Sequence, residues 1–251
     1  MEERFLKLTG GEDRLFSSDR YPRPFAFNQE VAQVFDDMVH RSVPLYKEVT
    51  LLAVDWALKY AAPNTKIFDI GCSTGTVIEC LSTRVDASCH LVGVDCSEAM
   101  IERAKSKVIP AVSLPTIDLL CKDVRDVCFK NASVIIVNYT LQFLPIRDRM
   151  RVLKRMVESL EPGGLIFLSE KVRSESSEFQ ETITTLYESF KQDRGYSRLE
   201  IEKKKEALEN VLVPLTENDY RRQLNKFGVD SVDSIAKWNN FVTLVGMKAT
   251  V

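Results

Sequence analysis

Histidine is scarce in this 251-residue sequence, and closely spaced cysteine pairs are absent. Its only histidines are His40 and His90, and none of its six cysteines belongs to a C-x-x-C pair. Structural zinc sites usually show such tight ligand pairs, and Ser-His-Asp or Cys-His hydrolases need a histidine beside their nucleophile. The sequence therefore predicts no metal site and argues against a histidine-dependent hydrolase. Buried, reduced thiols are the interpretation that suits the cysteines.

Long apolar runs and an excess of charge of one sign are also lacking. No apolar stretch reaches the roughly 20 residues that cross a bilayer, and the first residues lack the pattern of a signal peptide. The 34 basic residues are balanced by 36 acidic residues, for a net charge of -2, which excludes a globally basic nucleic-acid binder. We therefore expect a soluble cytoplasmic protein without a membrane partner, and direct nucleic-acid binding is not expected.

Apolar runs and amphipathic stretches alternate through the middle of the chain. Buried strands are predicted over residues 66–70, 90–94, 116–121, 133–137 and 165–168, and helices over residues 98–108 and 147–160. A further helix over 218–227 precedes two strands, 229–237 and 241–248, which join through Asn239-Asn240. Strands that alternate with helices form parallel sheets covered on both faces. We therefore predict an α/β fold with a mostly parallel sheet that ends in an antiparallel hairpin.

The N-terminal part of the chain follows a different pattern. Residues 1–27 have no clean periodicity and are interpreted as an N-terminal arm or lid. From Asn28 the apolar side chains recur at helical spacing, and a second helix is predicted from a first turn that contains Pro44 to about Ala61. We therefore predict a single domain over residues 28–251, with helical additions at 28–61 and 175–215.

The segment Asp-Ile-Gly-Cys-Ser-Thr-Gly at residues 69–75 joins the first predicted strand to a helix. Its glycines, Gly71 and Gly75, would let the backbone pass close to a ligand at the carboxyl edge of the sheet. A carboxylate at Asp69 would repel the pyrophosphate that similar loops bind, but it suits a ligand with an ammonium or sulfonium group. The segment also contains the G-x-S-x-G pattern of a hydrolase nucleophile, although the acid and the missing histidine disfavour that role. A tight turn without a ligand is the other alternative.

Three further strand ends carry polar residues that could complete a nucleoside site. Asp95 ends the second strand, where a carboxylate accepts hydrogen bonds from ribose hydroxyls; a cap for the helix after Ser97 is the alternative. Asp123, beside Val124, ends the third strand and could accept a hydrogen bond from an adenine amino group. Asn138 ends the fourth strand, facing the reactive group of such a ligand. Because the carboxyl ends of parallel strands share one edge, these residues together predict a nucleoside site.

These motifs, with Glu-Pro-Gly-Gly-Leu at residues 161–165, resemble the class I S-adenosylmethionine-dependent methyltransferases over about residues 60–250. The resemblance implies their Rossmann-like fold. A narrower resemblance, to the carboxy-S-adenosylmethionine synthase family, extends over nearly the whole chain. Its motifs are Val31-Ala32-x-Val34-Phe35-x-Asp37-Met38, Arg41-Ser42-Val43-Pro44-x-Tyr46, Asp69-x-Gly71-Cys72-Ser73, Asn138-Tyr139-Thr140-Leu141-Gln142-Phe143-Leu144, Leu168-Ser169-Glu170-Lys171, Gly195-Tyr196-Ser197 and Leu208-Glu209-Asn210-Val211.

The narrower resemblance implies an activity, a cofactor and a set of binding residues. Members of the family join S-adenosylmethionine to a carboxyl group derived from prephenate, giving carboxy-S-adenosylmethionine and phenylpyruvate, and a partner enzyme uses the product to modify a wobble uridine in tRNA. The expected cofactor is S-adenosyl-L-methionine or its carboxylated form. The expected assembly is a homodimer in which one basic residue reaches the neighbouring subunit's cofactor. No catalytic base is identified, and the expected cofactor-binding residues are Tyr46, Asp69, Gly71, Cys72, Ser73, Asp95, Cys96, Asp123, Val124, Asn138 and Lys205.

At Lys205 the sequence departs from the family, which has arginine there. Lys205 is the last of three consecutive lysines, a pattern typical of a solvated helix face. Ser197 and Glu200 predict a capping box at the start of this helix. Helical spacing then predicts that the two preceding lysines point elsewhere, whereas Lys205 interrupts an apolar stripe formed by Ile201, Leu208 and Leu212. Because lysine lacks the two-pronged fork of arginine, it would bind a product carboxylate less selectively.

Two other functions stay open at this point. The lysine in place of the family arginine is compatible with an ordinary methyltransferase that acts on a small molecule or on tRNA. Basic residues of the helix predicted over 147–160 could contact RNA, but they are scattered around the helix and indicate a solvated face instead. A non-catalytic nucleoside-binding protein that keeps the fold is the third hypothesis.

Overall fold

A seven-stranded sheet organises the chain, of which the computed structural model describes residues 10–17, 24–108 and 115–250. The strands are β1 (Lys66–Ile70), β2 (His90–Asp95), β3 (Thr116–Cys121), β4 (Ala132–Asn138), β5 (Leu160–Lys171), β6 (Val229–Trp238) and β7 (Phe241–Lys248). Their order in the sheet is β3-β2-β1-β4-β5-β7-β6. Strands β1 to β5 are parallel, and β7 runs antiparallel to both β5 and β6. The predicted α/β fold with its terminal antiparallel hairpin is confirmed, but the prediction that residues 116–121 form a buried strand is wrong, because β3 lies at the edge of the sheet and most of its residues are exposed.

Helices cover both faces of this sheet and extend beyond its edge. They are α1 (Gln29–Ser42), α2 (Tyr46–Tyr60), α3 (Thr76–Ser82), α4 (Glu98–Lys107), α5 (Ile146–Ser159), α6 (Ser177–Asp193), α7 (Arg198–Ala207) and α8 (Glu217–Lys226). None of these described helices combines the length and the apolar character that crossing a membrane requires. The segment 175–215, predicted to be helical, contains α6 and α7.

Local side-chain chemistry sets several helix starts. The Asn28 side chain accepts a hydrogen bond from the Val31 backbone N–H at 3.0 Å and caps α1, as an N-cap asparagine does. The capping box predicted at the start of α7 is present. The prediction that Pro44 lies in the first turn of α2 is wrong. Leu45 adopts a left-handed conformation with φ 56, so the helix begins only at Tyr46.

Two apolar layers lie on opposite faces of the sheet because successive strand residues point in opposite directions. On one face, Phe68 of β1 packs in a cluster with residues of α5 and α8. On the other face, Ile67 of β1 packs in a cluster with residues of α2 and α3. The core therefore fixes the strands from both sides and leaves their carboxyl ends free to form a site.

The described part of the predicted N-terminal arm packs against α1. The Gly11 N–H donates to the Gln33 carbonyl at 3.1 Å, and the Asp13 N–H donates to Asp37 Oδ2 at 2.7 Å. The Asp13 side chain is itself buried. Residues 1–9 and 18–23 of the arm lie outside the described residues, so a lid over residues 1–27 stays a prediction.

Candidate cofactor and substrate site

A cavity of about 990 Å³ opens at the carboxyl ends of strands β1 to β5. Its walls come from these strand ends and from helices at the N terminus and in the 175–215 segment. The cavity is lined by all eleven residues that the sequence predicted as binding positions, namely Tyr46, Asp69, Gly71, Cys72, Ser73, Asp95, Cys96, Asp123, Val124, Asn138 and Lys205. The fold therefore brings together residues that are far apart in the sequence.

The loop between β1 and α3 needs its glycines for close packing. Gly71 has φ +70, and a Cβ atom there would lie 2.2 Å from Thr140 Oγ1. Gly75 has φ +79, and its Cβ would lie 2.8 Å from the Ala104 side chain on α4. Both backbone conformations suit glycine. The glycines thus let the loop pack closely against Thr140 and Ala104. The side of the loop that faces the cavity stays available to a ligand.

Asp69 is a buried carboxylate with an unsatisfied oxygen. It is 2% exposed, and within the described residues its Oδ2 atom has no hydrogen-bond partner. Burial, with a smaller contribution from Asp95, raises the pKa of Asp69 to about 7. Asn138 Oδ1, also at the cavity, equally lacks a partner among the described residues. Since buried polar atoms are normally paired, these two acceptors fit a ligand that carries a positive charge and donors.

Asp95 ties the glycine loop to the turn after β2. Its Oδ2 accepts a hydrogen bond from the Ser73 N–H at 3.0 Å, and its Oδ1 accepts one from the Ser97 N–H at 2.9 Å. The alternative that Asp95 caps the following helix is wrong, because Ser97 caps α4 through a bond from the Met100 N–H. Each carboxylate oxygen can accept further bonds, so Asp95 can still meet ribose hydroxyls.

Asp123 is held by an arginine that the sequence pattern did not reveal. The Arg125 side chain donates to Asp123 from Nε at 3.0 Å and from Nη2 at 2.7 Å. These bonds lower the pKa of the Asp123 carboxyl despite a smaller opposing effect of burial. Arg125 also reaches Asp148 on α5 at 3.2 Å. The proposed adenine-binding carboxylate is thus ionised and fixed in place.

The buried side chain of Glu170 fixes the segment that follows β4. Its two carboxylate oxygens accept hydrogen bonds from the Leu141 N–H at 2.8 Å and the Gln142 N–H at 2.9 Å. Burial raises the pKa of Glu170 to about 8. Tyr139, at the start of this segment, has φ 57, a conformation that non-glycine residues adopt only when their surroundings enforce it. Glu170 therefore shapes the wall beside Asn138.

Comparison with known proteins places the chain in a family. It is 47% identical to the carboxy-S-adenosyl-L-methionine synthase of Trichodesmium erythraeum over 97% of this chain and 96% of that protein. It is 39% identical to the synthase of the same name from Shewanella piezotolerans, over 92% and 98% of the two chains. The chain belongs to the carboxy-S-adenosyl-L-methionine synthase family. The resemblance seen in the sequence is confirmed.

Fold-level comparisons agree with membership of this synthase family. Residues 67–164 match the methyltransferase domain. The structure of magnesium protoporphyrin IX methyltransferase from Synechocystis PCC 6803, with bound SAH, superposes with a TM-score of 0.55 at 16% identity and covers 85% of each chain. At that identity the likeness concerns the fold alone. It confirms the class I methyltransferase architecture.

Lys205, the last of the three consecutive lysines, lies in a different setting from the one predicted. Its side chain is 65% exposed and pairs with Glu188 at 3.1 Å, and α7 ends at Ala207 before the predicted apolar stripe continues. Lys204, expected to point elsewhere, is the buried lysine. Its Nζ lies 2.8 Å from Ser42 Oγ and 3.5 Å from Asp13 Oδ2. The buried face of α7 consists of residues 200, 201, 204 and 207. After Ile201 it therefore lies one residue earlier in the sequence than the predicted stripe.

Two cavity lysines of this synthase-family chain were missed as site residues. Lys171 ends β5, and Lys191 lies in the last turn of α6. Desolvation lowers the pKa of Lys171 to about 8 and that of Lys191 to about 7. The signal for Lys171 is a buried strand that ends in a glutamate and a lysine. Lys191 offers no comparable signal, because its burial depends on how α6 packs over the sheet edge.

Helix α5 is not the uniformly solvated basic face that the sequence predicted. Arg149 is fully buried, and its guanidinium donates to the carbonyls of Gln142 and Leu144 at 3.1 and 2.9 Å. Arg155 donates to backbone carbonyls of Arg125 and Val127. These arginines stabilise loops near the cavity. Only the remaining basic residues of this helix extend into solvent.

Proposed function

We propose that this protein is a carboxy-S-adenosyl-L-methionine synthase that converts S-adenosylmethionine and prephenate into carboxy-S-adenosylmethionine and phenylpyruvate. The proposal depends on one observation, a cavity that combines acceptors for a cationic nucleoside with two lysines, Lys171 and Lys191, that have no carboxylate at salt-bridge distance among the described residues. Family membership makes the chain an enzyme that uses S-adenosyl-L-methionine, and the predicted cofactor is confirmed. The second substrate and the use of the product in tRNA wobble uridine modification are part of the proposal.

The proposed cofactor contacts follow from the order of the strand ends. Asp123 accepts a hydrogen bond from the adenine amino group, and Asp95 accepts the ribose hydroxyls. Asp69 provides the negative charge for the ammonium and sulfonium end, and Asn138 lies beside the reactive group. Lys205 would face the carboxylate of the product. The backbone and side chains that complete the binding surface are those of Tyr46, Gly71, Cys72, Ser73, Cys96 and Val124.

In the proposed reaction the protein positions two reactants and excludes water. The bound sulfonium makes the attached methyl group weakly acidic; prephenate loses its carboxyl group as CO₂ and its hydroxyl as hydroxide, which takes the methyl proton to form water. The new carbon–carbon bond joins the methyl carbon to CO₂, so atoms and charge balance without an oxidant. Asp69 and Asn138 hold the cationic end, and the buried walls keep the CO₂ near the methyl carbon. No side chain is required as a general base.

Mass spectrometry tests this function directly. The nucleoside that purifies with the protein is identified, and the protein is then incubated with S-adenosylmethionine and prephenate. We expect carboxy-S-adenosylmethionine and phenylpyruvate in equal amounts. Recovery of only unmodified S-adenosylmethionine, or of its demethylated product, after prephenate is supplied would contradict the proposal.

A conventional methyltransferase is the second candidate function, and the Lys205–Glu188 pair favours it. A lysine already neutralised by a carboxylate at 3.1 Å attracts a product carboxylate less strongly than a free arginine does. The acceptor would be a small molecule or tRNA. Formation of S-adenosylhomocysteine in proportion to a methylated acceptor, with no carboxylated product, would support this alternative.

A homodimer is the proposed assembly. Helix α6 spans 17 residues, and its buried side chain is that of Lys191 rather than an apolar one. Its apolar side chains Phe179 and Leu186 are 63% and 49% exposed, and Leu199 of the adjacent α7 is also exposed. Exposed apolar side chains on neighbouring helices are typical of a partner surface.

The proposed location is the cytoplasm. The six cysteines are unpaired, which supports a reducing, cytoplasmic location.

A further inference from the structure

Two lysine side chains of the cavity have no role in the proposed cofactor site. The ammonium groups of Lys171 and Lys191 each lie 4.5 Å from the ring centroid of Tyr187. Two basic groups therefore lie beside one aromatic side chain. Within the described part of the chain, neither ammonium group has a carboxylate at salt-bridge distance, whereas the nearby Lys205 pairs with Glu188.

Lys191 is buried and Lys171 is half-buried, and two desolvated cations without a paired carboxylate are costly to the folded state. The cost is visible in the pKa of Lys191, which desolvation lowers most and the neighbouring Lys171 lowers further. Glu188 opposes the shifts at both lysines, but its carboxylate already contacts Lys205 at 3.1 Å. A bound anion would relieve this cost because it would supply the missing negative charge.

The two lysines lie beyond the proposed cofactor residues along the edge of the sheet. Asp123, Asp95, Asp69 and Asn138 lie at or next to the ends of β3, β2, β1 and β4, in the order of the sheet. Lys171 ends β5, which is the next strand. A nucleoside bound across the first four strand ends would leave the fifth to a second ligand.

An aromatic wall connects the two parts of the cavity. Tyr139 follows Asn138, and its ring centroid lies 5.9 Å from that of Phe241. The Phe241 ring in turn lies 5.2 Å from the Tyr187 ring that faces the lysines, and Phe241 pairs in register with Lys171. Such a wall offers apolar contact to a small ring whose charged groups reach the lysines.

We propose that Lys171 and Lys191 bind the carboxylates of the second substrate, while Tyr187 and Phe241 contact its ring. This inference rests on the proposed function and assigns binding residues to its second substrate, prephenate, which is a small cyclic dicarboxylate. Lys205 is then left for the carboxylate of the product. The two lysines act as binding residues that fix the leaving carboxyl group beside the cofactor.

A binding titration tests the subsite. The protein is loaded with S-adenosylhomocysteine, which occupies the cofactor site without reacting, and prephenate is titrated into it by calorimetry. Lys171→Met and Lys191→Met remove the charge and keep most of the side-chain length. Each should weaken prephenate binding about tenfold or more, since a charge-assisted bond is lost. The affinity for S-adenosylhomocysteine should stay within about twofold, because the lysines lie outside the cofactor contacts.

Two further variants complete the experiment. Lys191→Arg keeps the charge and should retain most of the prephenate affinity. Lys154→Met, on the exposed side of α5, is the matched control and should bind both ligands as the wild-type protein does. Circular dichroism verifies the fold. Where a methionine variant does not fold, Lys171→Gln or Lys191→Gln replaces it.

The outcomes separate the subsite from the proposed function. Unchanged prephenate affinity in both methionine variants overturns the inference, as does a wild-type protein that binds no prephenate. Loss of S-adenosylhomocysteine binding in folded variants also overturns it, because the lysines would then serve the cofactor. A wild-type protein that binds prephenate through these lysines but forms no carboxylated product supports the subsite and contradicts the synthase activity.

Discussion

At the residue scale, Asp69 and Glu170 are both carboxylates buried at the carboxyl edge of the sheet. Glu170 accepts two backbone hydrogen bonds from the segment after β4. Asp69 keeps one oxygen without a partner among the described residues. Burial raises the pKa of both groups, to about 8 and about 7. Since only Asp69 has an oxygen without a partner among the described residues, it is the one that can respond to a ligand, and Glu170 serves the local structure.

Cofactor binding should therefore depend on pH through Asp69. The ionised form binds the ammonium group of the ligand, and with a pKa of about 7 it predominates above neutral pH and is lost as the pH falls. The affinity for S-adenosylhomocysteine should drop about tenfold from about pH 8 to about pH 6. Asp69→Asn should bind weakly at both pH values. Calorimetry at several pH values measures this, and an Asp69→Asn variant with the same pH dependence as the wild-type protein would falsify the assignment.

A second prediction at this scale concerns Lys205. Arginine would keep the charge and add a planar fork that can bind a carboxylate with two parallel bonds. For a synthase, Lys205→Arg should raise the affinity for carboxy-S-adenosylmethionine by roughly threefold to tenfold, while S-adenosylhomocysteine binds as before. Calorimetry with both nucleosides checks the difference, with Lys154→Arg as the control. Equal effects on the two nucleosides would remove Lys205 from the carboxylate-binding role.

At the element scale, periodicity predicted the strands and most helices because their buried faces repeat regularly along the chain. It failed where a local conformation or a helix end intervenes. The left-handed conformation of Leu45 delays the start of α2 until Tyr46. Helix α7 stops at Ala207, so a stripe extended to Leu212 assigned the wrong buried lysine. The acids at the strand ends could be predicted from the alternation of strands and helices in the sequence. The place of Lys191 in the cavity could not, because it depends on how α6 packs over the edge of the sheet.

The glycine loop gives a prediction about stability. Gly71→Ala places a Cβ 2.2 Å from Thr140 Oγ1 at φ +70, whereas Gly228→Ala, at φ +97, meets nothing within 4 Å. Gly228→Ala should cost about 1 kcal/mol of unfolding free energy, through backbone strain alone. Gly71→Ala should cost about 2–4 kcal/mol, since a clash is added. Urea unfolding measures both. Equal losses would show that the loop can move away from Thr140.

At the scale of the whole molecule, the cavity is completed by segments outside the alternating core. Lys204 of α7 meets Asp13 near the N terminus at 3.5 Å and Ser42 of α1 at 2.8 Å. The helices that cover the sheet edge are therefore connected to one another by buried polar contacts. Helix α6 joins them through the Tyr187 hydroxyl, which donates to the Ser42 carbonyl at 2.8 Å. It leaves Phe179 and Leu186 exposed, so the cover over the site has an outer apolar surface as well as an inner charged one.

The proposed dimer should depend on that outer surface. Burial of a large apolar side chain contributes roughly 1.5–3 kcal/mol, and a two-fold interface counts each residue twice. Phe179→Asp combined with Leu186→Asp should therefore raise the dimer dissociation constant at least about a hundredfold and give monomers at micromolar concentration. Light scattering after size-exclusion chromatography measures the mass. Ile146→Asp, which changes an equally exposed side chain on α5, should leave the dimer intact. A monomeric wild-type protein, or a double variant that stays dimeric, would place these side chains outside any subunit interface.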